Sequence, residues 1–133
     1  MKVLFADDDT VLHRVLGHRL TREGFSLRSA YNGREALELA REEPPDLLIL
    51  DGMMPELDGF AVLREWRREP KLAGIPVIML TARNREDDVV GALAEGAVDY
   101  LTKPFSPAEL VARMTSRDTN ARTARSGNDG QIS

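Results

Sequence analysis

Residues 44–51, Pro44-Pro45-Asp46-Leu47-Leu48-Ile49-Leu50-Asp51, decide the fold. Two prolines break whatever precedes them. The run Asp46–Leu50 (DLLIL) is then apolar on successive residues, not on alternate ones. That is the pattern of a strand covered on both faces, as in a parallel sheet. Two more runs of this kind lie on either side. Val3–Ala6 stops at three aspartates, Asp7, Asp8 and Asp9, and Pro76–Leu80 (PVIML) stops at Thr81. Phe25–Ala30 alternates and reads as an edge strand, and Ala97–Leu101 is a weaker fifth.

Helical patterns separate these runs. Leu12, Val15, Leu16 and Leu20 recur at helical spacing, with Gly24 as the stop. Asn32 and Glu35 have the spacing of a capping pair for a helix through Ala40. Asp58-Gly59 precedes an apolar face of Phe60, Leu63 and Trp66. Val89, Val90 and Leu93 form a fourth face ended by Gly96, softened by Gly91, which costs about 1 kcal/mol against alanine. Ser106-Pro107 opens a fifth helix with Leu110, Val111 and Met114. The order is therefore βαβαβαβαβα, which implies an α/β fold: a doubly wound parallel sheet with right-handed crossovers. One domain is expected over 1–117. After Arg117 the chain turns to Thr, Asn, Arg, Ser and Gly, and residues 118–133 read as a disordered tail or truncated linker.

Composition narrows the function classes. The 133 residues carry a net charge of −4, which disfavours nonspecific nucleic-acid binding. Without cysteine there is no disulfide, thiolate metal site or cysteine nucleophile, and two histidines do not make a histidine-rich zinc site. No apolar run is long enough for a membrane span, and MKVLFADDD is too short and acidic for a signal peptide. The expectation is a cytoplasmic protein without a membrane partner.

In open α/β sheets, sites form beyond the carboxyl ends of the strands. Asp7, Asp8 and Asp9 stand at the end of the first strand, Asp51 at the third, Thr81 at the fourth, and Lys103-Pro104 follows the fifth. Taken singly, each has an ordinary reading: Asp9 as a helix cap, Lys103 as a surface charge, Thr81 as a loop hydroxyl. Their joint placement at one end of the sheet is what points to a site. Oxygen ligands without Cys or His suit Mg²⁺, Mn²⁺ or Ca²⁺. A carboxylate beside such a cation can attack a phosphoryl group, with a lysine and a hydroxyl stabilising the transferred oxygens.

The chain resembles the receiver domain of bacterial two-component response regulators. The resemblance is carried by VLFADDD (3–9), NGREALELA (32–40), PDLLILDGMMPELDGF (45–60), PVIMLTA (76–82), GALAEGAVDYLTKPF (91–105) and PAELVAR (107–113). It implies a flavodoxin-like (βα)5 sheet of strand order 2-1-3-4-5. It implies that Asp51 accepts a phosphoryl group from a sensor histidine kinase. Asp8 and Asp7 would hold Mg²⁺ (or Mn²⁺) together with Asp51 and the backbone carbonyl of Met53. Lys103 would pair with Asp51 and then with the phosphoryl oxygen, and Thr81 and Tyr100 would act as the switch pair. Lys103-Pro104 would be a cis peptide.

Segment 91–113 is most similar to receivers of the winged-helix subfamily, which dimerise through the fourth helix, fifth strand and fifth helix; Asp99, Glu109 and Arg113 are candidates for charged contacts there. No winged-helix sequence follows in this chain, so direct nucleic-acid binding is not expected of it. The expected partners are a kinase, a downstream protein or missing output domain, and, as an alternative, a phosphorylation-linked homodimer.

The remaining residues take ordinary readings: His13 and His18 as surface residues, Trp66 as helix-face packing, Met53 and Met54 as loop residues beside the site. Ala82 leaves the approach to the site open, and Arg83 borders it with a bearing on hydrolysis. An enzyme with an aspartyl-phosphate intermediate is the competing reading. Such enzymes usually need an acid two residues after the nucleophile, where this chain has Met53. A receiver used only for binding is a third, against which the full set of Asp7, Asp8, Asp51, Thr81 and Lys103 argues. The expectation is a signalling domain, not a stand-alone enzyme.

Overall fold

A computed structural model describes residues 1–54, 57–81, 91, 93, 94 and 96–126, with side chains for all of these except 81 and 117–126. The chain forms β1 (Lys2–Ala6), α1 (Thr10–Arg22), β2 (Ser26–Ala30), α2 (Gly33–Glu42), β3 (Leu47–Asp51), α3 (Gly59–Arg68), β4 (Val77–Thr81), β5 (Asp99–Thr102) and a C-terminal helix (Pro107–Ser126). The helix expected around Val89–Leu93 lies largely outside the described residues.

The strands form one five-stranded sheet of order β2-β1-β3-β4-β5, parallel throughout. The strands read as continuous apolar runs, β1, β3 and β4, occupy its centre, and the alternating β2 lies at an edge. Each central strand sends successive side chains to opposite faces. On one face Leu4, Leu48, Leu50 and Met79 pack with α2 and α3 through Ala36, Leu37, Ala40, Val62, Leu63 and Trp66. On the other face Val3, Phe5, Ile49 and Ile78 pack with α1 and the C-terminal helix through Leu16, Leu20, Leu110, Val111 and Met114. Trp66 is fully buried, and its indole N–H donates to the carbonyl of Ile75 at 3.2 Å.

The caps follow the local sequence. Asp9 caps α1, accepting from the amides of Val11 and Leu12 at 3.0 and 3.1 Å. Asn32 caps α2 by accepting from Glu35 N–H, and the Glu35 carboxylate accepts in turn from Tyr31 N–H. Ser106 accepts from Glu109 N–H at the start of the C-terminal helix. Gly24, just past α1, takes φ +95°, a conformation that costs glycine little.

Two readings change. Val15 is 49% exposed and does not belong to the buried face of α1. His13, expected at the surface, is buried in its place at 5% exposure; His18 is exposed. At about 100° per residue, His13 lies on the same stripe as Leu16 and Leu20, while Val15 lies off it. The last helix runs from Pro107 to Ser126. Alanines and arginines there are good helix formers.

Candidate functional site

The parallel pairing of β1 with β3 sets Ala6 opposite Leu50, so the residues that follow, Asp7 and Asp51, emerge side by side at the carboxyl end of the sheet. Asp51 is the last residue of β3 and pairs with Leu80 of β4. Its neighbourhood is crowded because α3 starts directly beside it. A Cβ on Gly59 would collide with the Asp51 carbonyl oxygen and with Gly52, so only glycine admits this approach. Asp58 accepts from Ala61 N–H at 2.9 Å and fixes the start of the helix.

Asp7, Asp8 and Asp51 bring one oxygen each to within 4.8 Å of one another. Asp7 is 0% and Asp51 3% exposed, whereas Asp8 opens to solvent. Lys103 reaches in from the segment after β5. Its ammonium lies 2.7 Å from Asp7 Oδ2 and 3.5 Å from Asp51 Oδ2, so its shorter contact is with Asp7. Asp7 Oδ1 accepts from Asp9 N–H at 2.9 Å, and Asp51 Oδ1 accepts from Met53 N–H at 3.2 Å. The Lys103-Pro104 peptide is cis, as expected.

Among the described residues the charges do not balance: three carboxylates face one ammonium. Burial, then the Asp7 charge, pushes the Asp51 carboxyl up to about 6, against the smaller opposing effects of the Met53 amide and Lys103. Burial alone would lower Lys103, but its hydrogen bond with Asp7 and the charges of Asp51 and Asp7 hold it above its ordinary value. Surplus negative charge, all-oxygen donors and one solvent-open acid match the needs of a hard divalent cation.

The Met53 side chain is 50% exposed, consistent with a role left to its backbone, while Met54 is buried in the core on the α2–α3 side and not merely a loop residue. Thr81 ends β4 opposite Thr102, but its side chain lies outside the described residues, as do Ala82 and Arg83. Tyr100, opposite Met79 on β5, is half-buried against the core on the α2–α3 side. Arg113 pairs with Asp99 and lies 3.6 Å from Glu109, so it contacts both acids within the chain. Sequence reasoning missed His13 and Ser29. The His13 ring bridges the Asp7 carbonyl and the Ser29 hydroxyl, and its place on the stripe of Leu16 and Leu20 was the available signal.

Comparison with known proteins gives the same reading. Residues 3–115 match the response regulator receiver domain family. The chain is 47% identical over 115 residues to the probable transcriptional regulator ycf27 of Porphyra purpurea, covering 86% of this chain and 46% of that protein. It is 43% identical over 113 residues to the alkaline phosphatase synthesis transcriptional regulatory protein PhoP of Bacillus subtilis (strain 168), covering 85% and 46%. It thus spans about half the length of the curated relatives it matches. Among solved structures, the receiver domain of Francisella response regulator 1452 superposes with a TM-score of 0.81 at 37% identity, covering 86% of this chain and 93% of that one. Chemotaxis response regulator CheY4 of Vibrio cholerae gives 0.82 at 31% identity, covering 86% and 96%. With its sheet order, its acidic strand-end cluster and these matches in agreement, the chain belongs to the response regulator receiver domain family.

Proposed function

We propose that this receiver is a phosphorylation-driven switch in which Asp51 takes a phosphoryl group from a sensor histidine kinase. The observation that carries the reading is the convergence of Asp7, Asp8, Asp51 and Lys103 at one end of the sheet, with Asp51 buried at its centre. An Asp51 carboxylate oxygen forms the new P–O bond as the P–N bond of the donor phosphohistidine breaks, and the electron pair leaves with the imidazole. Asp7, Asp8, Asp51 and the Met53 carbonyl would hold Mg²⁺, or Mn²⁺ in its place. When bound, the cation offsets the negative charge gathering on the transferred oxygens. Lys103, already between Asp7 and Asp51, exchanges its carboxylate partners for a phosphoryl oxygen.

The new charge then draws the Thr81 hydroxyl inward, and Tyr100 follows into the vacated space. This is a local charge change biasing an element with two packings. The surface altered is the one formed by the segment before β5, β5 itself and the C-terminal helix. Residues 1–117 make up the switch, and the stretch beyond connects it to an output domain or leaves it to act on a separate protein. Because its relatives are named as transcriptional regulators and are about twice as long, any contact with nucleic acid is assigned to their other half, not to this stretch.

Intact mass after incubation with Mg²⁺ and acetyl phosphate tests the reading. A gain of one phosphoryl group, abolished by chelation and by Asp51→Asn, is expected. A folded, Mg²⁺-bound chain that gains no mass from acetyl phosphate or from a phosphorylated kinase would reduce it to a binding module.

A further inference from the structure

His13 is 5% exposed and sits directly behind the acidic site. Its ring packs at tilted angles of 47° and 43° against Phe5 and Tyr31, with centroids 4.5 and 4.3 Å away. Nε2 lies 2.7 Å from the Asp7 carbonyl oxygen. That oxygen can only accept, so Nε2 carries the hydrogen and donates. Nδ1 is hydrogen-bonded to the Ser29 hydroxyl, 2.8 Å away on β2.

The other polar groups of Asp7 are occupied as well. Its N–H donates to Ala30 O at 3.1 Å, Oδ1 accepts from Asp9 N–H at 2.9 Å, and Oδ2 accepts from Lys103 at 2.7 Å. The bond to His13 differs from these in what it controls. The Asp7 carbonyl belongs to the peptide joining Asp7 to Asp8, and a peptide is planar from one Cα to the next. A grip on that oxygen sets the plane from which both carboxylates project.

We infer that His13 is a positioning residue that orients the Asp7–Asp8 peptide, and through it the two carboxylates, for the cation, with Ser29 anchoring the ring at its other nitrogen. This rests on the reading of Asp7 and Asp8 as cation-binding acids. Groups that orient metal ligands without touching the metal typically contribute 10–100-fold to affinity, and an indirect grip through the backbone should fall at the low end, about tenfold.

Calorimetric titration with Mg²⁺ alone, on wild type, His13→Leu, His13→Gln and Ser29→Ala, tests it, with thermal melting of each metal-free protein alongside. His13→Leu should bind Mg²⁺ about tenfold more weakly. His13→Gln, whose amide N–H can reach the same carbonyl, should stay within about threefold of wild type, and Ser29→Ala should fall between them. With acetyl phosphate, His13→Leu should raise the Mg²⁺ concentration needed for half-maximal phosphorylation while leaving the rate at saturating Mg²⁺ near wild type. A role in core packing alone would lower the melting temperature and leave the Mg²⁺ affinity of folded His13→Leu unchanged, which would overturn the inference. Should His13→Leu not fold, wild-type affinity in Ser29→Ala would overturn it equally. Wild type that binds no Mg²⁺ would instead remove the cation reading on which it stands.

Discussion

Asp51 is held in an environment that disfavours its own charge. Its carboxyl is pushed from 3.8 to about 6 by burial and by Asp7, so between those pH values the folded chain binds more protons than the unfolded one. Stability from this group is therefore full below about pH 4 and is lost as pH rises through 6, a swing of about 3 kcal/mol for a shift of this size. Asp51→Asn removes the charge while keeping the shape. It should raise the stability of the metal-free protein at pH 7.5 by about 1–3 kcal/mol and flatten the profile between pH 4 and 7 in urea titrations. An unchanged profile would mean that Asp51 is not the strained acid. At this scale the acids and Lys103 were legible, because each sits at a strand end. For His13 only its burial was legible, from the stripe it shares with Leu16 and Leu20; its hydrogen-bond partners lie just past β1 and on β2, far from α1 in sequence.

Elements dock around the site through close approaches that one residue type permits. α3 begins against the backbone of Asp51, and Gly59 is the point of contact. Gly59→Ala forces the helix start away from β3. It should cost about 1–3 kcal/mol in chemical denaturation and slow phosphorylation by acetyl phosphate. Gly74→Ala, where an added methyl would meet nothing within 4 Å, is the control and should leave both unchanged. Each strand was legible from its apolar run, but boundaries moved by a residue or more. β3 and β4 extend to Asp51 and Thr81 because backbone pairing continues beneath polar side chains, as in Asp51 with Leu80 and Thr81 with Thr102. β5 begins at Asp99 and not at Ala97, where pairing with β4 starts. The caps at Asp9, Asn32 and Ser106 were readable because capping is a local affair.

For the whole molecule, a cation held by the three carboxylates, as proposed, would link binding to folding. A ligand that binds only the folded state adds about 2.7 kcal/mol at one hundred times its dissociation constant. Saturating Mg²⁺ should therefore raise the melting temperature, and more at pH 8 than at pH 5, where Asp51 is largely protonated. Equal shifts at both pH values would place the cation elsewhere. The sheet order was readable through the family resemblance, and the alternation of runs alone gave the parallel α/β class. The Thr81 side chain and most of the segment before β5, both expected to take part in the switch, lie outside the described residues. The central claim is that the phosphoryl group resides on Asp51. Borohydride reduction of the phosphorylated chain, followed by peptide mass mapping, tests it most directly, because an acyl phosphate on aspartate is reduced to homoserine. Homoserine at position 51 and at no other acid is the result expected; label at Asp7 or Asp8, or label that persists in Asp51→Asn, would contradict the account.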